Sequence, residues 1–189
     1  MDATRPILAD GHLQQSIVLV GLMGAGKSTV GRRLAQALGI EFIDSDDEIE
    51  KAAGMPISEI FAHFGEAHFR DGERRVLSRL LQGKPLVLAT GGGAFVAPEN
   101  REIIAAGGVS IWLRADLETL WSRVSGRPGR PLLQAENPKA VLSGLLERRR
   151  DAYAQADYIV DSYANNSHDV VVQDILTLIN AQSEAANGN

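Results

Sequence analysis

Short, unbroken apolar runs alternate with stretches of helical period along this chain. Ser16-Ile17-Val18-Leu19-Val20 is β-branched, shows no polar alternation and stops at Gly21. Such a run predicts a strand buried on both faces. Val30, Leu34, Ala37 and Leu38 then recur at helical spacing between Lys27 and Leu38, with Gly39 as the stop. Glu41–Asp44 predicts a second strand, followed by an acidic helix over Asp46–Ala53 that closes at Gly54. Ser58–Phe64 and Glu66–Leu81 are helical and broken at Gly65. Pro85–Ala89 is a third apolar strand, running into Thr90 and three glycines. Asn100–Ala106 predicts a helix, Val109–Leu113 a strand, and Asp116–Val124 a helix with Asp116 as its N-cap. Ala140–Ala154, Tyr158–Val160 and Asp169–Ile179 complete the pattern as helix, strand and helix. The small polar stretch at 181–189 is expected to fray as a flexible tail, and the first fifteen residues have no assigned role.

Five apolar strands alternating with helices predict one α/β domain whose parallel sheet is covered on both faces. Its core spans about residues 16–180, with no internal repeat and no linker. In such sheets ligands bind outside the carboxyl ends of the strands, which directs attention to the residues after Val20, Ile43, Ala89 and Leu113. One long loop, about Ser125–Pro138, is polar and holds three prolines and two glycines. With Arg127 and Arg130 among few apolar anchors, it has the profile of a mobile lid over phosphate.

Composition narrows the function. Hydrophobic residues at 44% and charged residues at 23% exclude a wholly disordered chain. No apolar run is long enough to span a bilayer, so no membrane association is expected. A net charge of −5 disfavours a nucleic-acid partner. With no cysteine, thiolate metal sites and a cysteine nucleophile are excluded, and a reducing cytoplasm fits. A single domain without an exposed apolar stretch is expected to be a monomer. The 19 cations comprise fifteen arginines and four lysines; forked guanidinium groups for carboxylate or phosphate are one reading of that bias and genomic base composition the other, so only an arginine placed by a motif carries weight.

Gly21-Leu22-Met23-Gly24-Ala25-Gly26-Lys27-Ser28 matches GxxxxGK(S/T) at every fixed position, with a strand before it and a helix after it. Its amides and the helix N-terminus suit phosphate, Lys27 suits the β- and γ-phosphates, and the Ser28 hydroxyl suits Mg²⁺. Asp44 and Asp46 follow the second strand. If the chain is still extended there, residues two apart look into one cleft, one carboxylate serving a magnesium shell and the other taking a proton. Capping of the following helix is the other reading of this acidic pair. Gly91–Gly93 is a candidate anion-binding turn, or simply a flexible one. Thr90 stands where many phosphate-loop enzymes carry a metal-binding carboxylate, so magnesium falls to Ser28 and Asp44. Arg70 alone reads as a surface residue, and Arg148–Arg150 equally as a solvated helix end.

Taken together, GLMGAGKST at 21–29, DSD at 44–46, FxxxGExxFR at 61–70, GGG at 91–93, RPLL at 130–133 and an Arg four residues before Tyr153 resemble the shikimate kinase family. The resemblance covers about Ile17 to Ile179. It implies a three-layer phosphate-loop kinase fold, a five-stranded parallel sheet in order 2-3-1-4-5 and a mobile lid. It also implies transfer of the ATP γ-phosphate to the 3-hydroxyl of shikimate, with Mg²⁺ as cofactor and a cytoplasmic setting. Carried over by position, Gly24, Ala25, Gly26, Lys27, Ser28 and Thr29 match the ATP phosphate loop, with Ser28 on the metal and Asp44 matching the carboxylate that holds the metal's waters. Asp46 matches the residue that holds the shikimate hydroxyls and acts as base. Arg70 and Arg149 match the grip on the shikimate carboxylate, and Gly92 a backbone contact to the same substrate. Arg130 matches the lid arginine on the phosphates, and Arg123 the arginine near adenine. Two stretches depart from the family pattern: Arg149–Tyr153 lacks its usual proline, and Ser162–Asp169 matches poorly. A related kinase for another hydroxylated acid such as gluconate, and a regulatory module on a dead kinase fold, are the alternatives; the second would be expected to lack Lys27, Asp46 or Arg70.

Overall fold

The computed structural model describes residues 7–9, 12–125 and 136–187. Its elements in chain order are β1 (Leu8–Ala9), β2 (His12–Leu13), β3 (Ser16–Val20), α1 (Lys27–Leu38), β4 (Phe42–Asp44), α2 (Ser45–Ala53) and α3 (Ile57–Leu81). They continue with β5 (Val87–Ala89), a 3₁₀ turn (Ala94–Val96), α4 (Pro98–Gly107), β6 (Gly108–Arg114), α5 (Leu117–Val124), α6 (Pro138–Tyr153), β7 (Tyr158–Asp161) and α7 (His168–Asn187).

Five strands pair in the order β4-β5-β3-β6-β7, all parallel. Counting only these strands, the order is 2-3-1-4-5. The chain leaves the central β3 for the β4 edge, then steps back through β5 and across to β6 and β7. With right-handed crossovers, that reversal puts α1 on one face and α3 to α6 on the other. The packing agrees: α1 lies against β4, β5 and α7, while α3 packs on α4 and α5 on α6. Every residue of β3 is buried, as is every residue of β5, so the apolar runs of the sequence are the middle of the sheet. Among the described residues, no helix is long and apolar enough to cross a membrane.

The predicted helices and strands are present, with boundaries shifted by one or a few residues. Gly65 bends α3 with φ +79, at the break expected from the sequence. Two expectations need correction. The strand before the acidic helix ends at Asp44, so Asp46 lies in the first turn of α2 and not on an extended chain. The tail is helical as far as Asn187, eight residues past the expected end of α7 at Ile179. β1 pairs antiparallel with β2 and packs against α7, and the Leu8 N–H donates to Ser183 Oγ at 3.1 Å. That tertiary contact, together with the helix-favouring Ala181, Ala185 and Ala186, extends the helix. The two strands have two residues each, too short for any periodicity to register. Of the expected lid, residues 126–135, with Arg127 and Arg130, lie outside the described residues; Ser125 closes α5, and Asn137 caps α6 by accepting the Ala140 N–H.

Two glycines test the helix packing in opposite directions. A Cβ on Gly107 would stand 2.6 Å from the Leu81 carbonyl oxygen, where α4 meets the end of α3, whereas a Cβ on the helical Gly72 meets nothing within 4 Å. Gly107→Ala should lower unfolding free energy by about 1–3 kcal/mol, and Gly72→Ala should raise it by about 0.5–1 kcal/mol. Urea unfolding of both variants checks the pair.

Candidate active site

The carboxyl ends of β3, β4 and β5 open into a cleft of about 540 Å³. The topology explains its place: from β3 the chain crosses toward β4, from the neighbouring β5 it crosses the opposite way toward β6, and the crevice of such a sheet forms between those two strands.

The Gly21–Gly26 loop leaves β3 and enters α1 through Gly26, a helix cap without a side chain. Gly24 and Gly26 take φ +85 and +96, which side chains other than glycine resist. The first-turn amides of α1 thus face the cleft with the positive end of the helix dipole behind them. Lys27 Nζ arches back over the loop to the Gly21 and Leu22 carbonyls, at 2.7 and 3.1 Å. Met23, Gly24, Gly26, Lys27, Ser28 and Thr29 line the cleft. Ala25 is turned inward, its N–H already donated to the Leu22 carbonyl.

Asp44 is both the last residue of β4 and the N-cap of α2, with its Oδ1 accepting the Asp46 N–H at 3.1 Å. Its other oxygen accepts the Ser28 hydroxyl at 2.7 Å. A hydroxyl and a carboxylate in contact are hard oxygen donors, the set that suits Mg²⁺, which takes one or two protein oxygens and completes its shell with water and phosphate. The described residues hold no cluster of three or more His, Cys, Asp or Glu fit for a metal cage. Thr90 lines the cleft, and its hydroxyl donates to the Leu19 carbonyl.

Asp46 faces the same cleft from the first turn of α2. Its carboxyl is pushed up to about 6, chiefly by burial, then by the Asp44 charge, with Lys27 pulling it down and Glu73 and Asp47 adding smaller pushes.

The glycine turn at Gly91–Gly93 is shaped by what it lets in. None of the three takes a left-handed φ. A Cβ on Gly91 would stand 2.6 Å from Asp46 Oδ1, one on Gly92 3.4 Å from Arg149 Nη1, and one on Gly93 2.8 Å from Arg70 Nη2. The missing side chains of Gly91 and Gly93 leave room for Asp46 and Arg70, whereas a Cβ on Gly92 would make only ordinary contacts. The Gly91 N–H donates to the buried Ser45 Oγ, tying the turn to α2. Arg149, on α6, donates to the Gly92 carbonyl and lines the cleft, while its neighbours Arg148 and Arg150 are exposed. Arg70, on α3, lines the cleft from the other side. The rings of Phe61 and Phe69, 4.6 Å apart, add an apolar wall.

Behind Arg70 stands a carboxylate that motif reading passed over. Glu73 is 1% exposed, accepts Arg70 Nη1 at 2.9 Å, and also accepts the buried Asn100 amide at 3.3 Å. This pairing holds the guanidinium in one orientation and satisfies the buried charge. The signal was present in the chain: Glu73 interrupts the apolar stripe formed by Phe69, Val76, Leu77 and Leu80 on α3. At the far end of the cleft, Arg123 on α5 donates to the Gly24 and Ala25 carbonyls, to Ser162 Oγ and to the Tyr163 carbonyl. It ties the phosphate loop to the segment after β7. His168 closes that end, its ring atoms 3.4 Å from a Cβ placed on Gly26. Burial, then the Arg123 and Arg33 charges, hold its imidazole below the ordinary value, so it is neutral at pH 7.

The comparisons with known proteins converge on one family. A family model described as shikimate kinase matches residues 23–180. A shikimate kinase of Paramagnetospirillum magneticum is 59% identical over 155 residues, which is 82% of this chain and 80% of that one. The solved structure of a shikimate kinase from Acinetobacter baumannii in complex with shikimate superposes with a TM-score of 0.82 at 44% identity, over 88% of this chain and 93% of that one. A gluconokinase from Sinorhizobium meliloti gives a TM-score of 0.64 at 20% identity, over 92% of this chain and 96% of that one, a likeness of fold alone.

The raised Asp46 carboxyl has a consequence for stability. Its folded-state value lies above the unfolded one, so the ionised carboxylate opposes folding above about pH 6, and the opposition disappears below the ordinary value of 3.8. Asp46→Asn should therefore raise the melting temperature of the metal-free protein at pH 8 and leave it unchanged below pH 4. Carbon-13 NMR of the wild-type side chain should show its midpoint near 6, and a midpoint near 4 would contradict the burial argument.

Proposed function

The chain belongs to the shikimate kinase family, and we propose how its residues divide the family's reaction, transfer of the γ-phosphoryl group of ATP to the 3-hydroxyl of shikimate. The products are ADP and shikimate 3-phosphate, on the route to chorismate and the aromatic amino acids. The observation that carries the division is the facing of two unlike half-sites across one cleft: the phosphate loop with Ser28–Asp44 on one side, and Asp46 among Arg70, Arg149 and the glycine turn on the other.

ATP phosphates lie on the amides of Gly24, Gly26, Lys27, Ser28 and Thr29, and the Lys27 ammonium, swung from the loop carbonyls, balances the β- and γ-oxygens. Ser28 and Asp44 would hold Mg²⁺, which would supply charge neutralisation on the phosphates. The carboxylate of shikimate sits between the guanidinium groups of Arg70 and Arg149 and meets the backbone at Gly92. That seat turns the substrate hydroxyls toward Asp46, whose raised affinity for a proton suits it to accept one from the 3-hydroxyl as the new bond forms. Arg123 and His168 bound the adenine end; Arg130, which the resemblance assigns to the phosphates, lies outside the described residues. All these groups belong to one chain, which supports a monomer as the working unit, and the need for ATP supports a cytoplasmic setting.

An ADP-release assay offered shikimate, gluconate or no acceptor tests the acceptor, with turnover expected on shikimate alone. Lys27→Ala should lower kcat by about 10²–10³-fold with the fold intact, and near wild-type turnover at saturating ATP would end the phosphate-loop assignment.

The two aspartates separate by magnesium titration. Asp46→Asn should cost about 10²-fold in kcat, the low end for a general base because phosphoryl transfer through a loose transition state needs little help from one. Asp44→Asn should instead raise the Mg²⁺ concentration for half-maximal rate. Rescue of Asp46→Asn, and not of Asp44→Asn, by excess Mg²⁺ would reverse the roles.

A further inference from the structure

The glycine turn is held from behind by a buried hydroxyl. Tyr153 ends α6, is 0% exposed, and donates its hydroxyl to the Gly92 carbonyl at 2.5 Å. The same carbonyl accepts Arg149 Nη1 at 3.0 Å. Tyr153 follows Arg149 by one helical turn, so both side chains leave the same face of α6 and reach one oxygen. The tyrosine ring rests against Trp112 of β6, with centroids 5.7 Å apart. Trp112 in turn lies under the phosphate loop, its Cδ1 3.3 Å from a Cβ placed on Gly21. A Cβ on Gly92 would stand 3.6 Å from both the Gly21 carbonyl oxygen and the Met23 nitrogen. The aromatic pair is thus the floor on which both half-sites rest. Burial pushes the Tyr153 phenol up, the Arg149 charge pulling it part of the way back, so the hydroxyl is a donor throughout the neutral range.

We propose that Tyr153 is a positioning residue for the acceptor substrate: its hydroxyl pins the Gly92 carbonyl, and through it the Gly92–Gly93 peptide and the Arg149 guanidinium, so that shikimate affinity depends on a side chain that does not touch shikimate. This rests on the assignment of Arg149 and the glycine turn to the shikimate carboxylate. The geometry makes the link mechanical. In a planar trans peptide the carbonyl and the following N–H point opposite ways, so a Gly92 carbonyl drawn toward α6 turns the Gly93 N–H away from it. Arg149 has five N–H donors, and one spent on a fixed carbonyl leaves the others aimed along a fixed direction. Without the hydroxyl, Arg149 is the carbonyl's remaining side-chain partner among the described residues, and turn and guanidinium are free to shift together.

Tyr153→Phe keeps the ring, its volume and its contact with Trp112, and removes only the donor. Steady-state kinetics with shikimate and ATP varied separately should show the shikimate KM rising roughly tenfold, as for loss of one well-made hydrogen bond. The ATP KM should stay within about twofold, and kcat should fall by less than the shikimate KM rises. Arg149→Lys, run in parallel, carries the underlying assignment: it should raise the shikimate KM at least as far. If Arg149→Lys raises that KM and Tyr153→Phe does not, the positioning role is wrong while the site assignment stands. If both KM values rise together in Tyr153→Phe with a lowered melting temperature, the hydroxyl is merely structural and the proposal falls. An unchanged shikimate KM in Arg149→Lys overturns the carboxylate assignment and this proposal with it.

Discussion

The two oxygens of the Asp44 carboxylate accept hydrogen bonds in two directions, one from the Asp46 N–H that opens α2 and one from the Ser28 hydroxyl in the first turn of α1. Strand, helix cap and phosphate loop therefore meet at one side chain. From that point the rest of the cleft follows in order. The cap sets where α2 begins, which puts Ser45 under the glycine turn and Asp46 beside it. The turn, seated on Ser45, sets the place against which Arg70 and Arg149 close. A short acidic segment at a strand end thus organises both the nucleotide half and the acceptor half of the site.

Such an arrangement stores unfavourable charge. Asp44, Asp46 and Glu73 face a common cleft, and the Asp46 carboxyl is held near 6 because burial and its acidic neighbours outweigh the pull of Lys27. Arg70 and Asn100 meet the buried Glu73 carboxylate directly. Glu73 positions a guanidinium, whereas Asp46 has the affinity for a proton that a base requires. Stability given up at Asp46 is the ordinary cost of an active site whose charges are arranged for a substrate and not for the folded chain.

Much of the architecture was legible along the chain. Runs such as Ile17–Val20 and Leu86–Ala89 can satisfy their composition only between two helical layers, and five of them separated by helices imply a parallel sheet. The phosphate loop was legible for a similar reason: its function lies in backbone amides, and glycine spacing followed by Lys-Ser at a helix start dictates their direction locally. The resemblance carried more than periodicity could, because strand order follows from crossovers that no local pattern encodes.

Tertiary structure decided what depended on distant partners. The alternation argument for Asp44 and Asp46 failed because helix α2 starts one residue after the strand ends, yet both carboxylates reach the cleft through the cap. Among three consecutive arginines only Arg149 turns inward, and what selects it is the Gly92 carbonyl, 57 residues earlier. The short β1–β2 pair and the extra turns of α7 stabilise one another, so neither segment declared itself alone. Glu73 and Tyr153 show the same division from inside the core. Their sequence positions mark them only as a charge and a phenol on buried helix faces, and the chain had to fold before Arg70 and Gly92 made them parts of a site. Local chemistry is written in neighbouring residues, while the orientation of a buried polar group is set by whichever distant atom satisfies it.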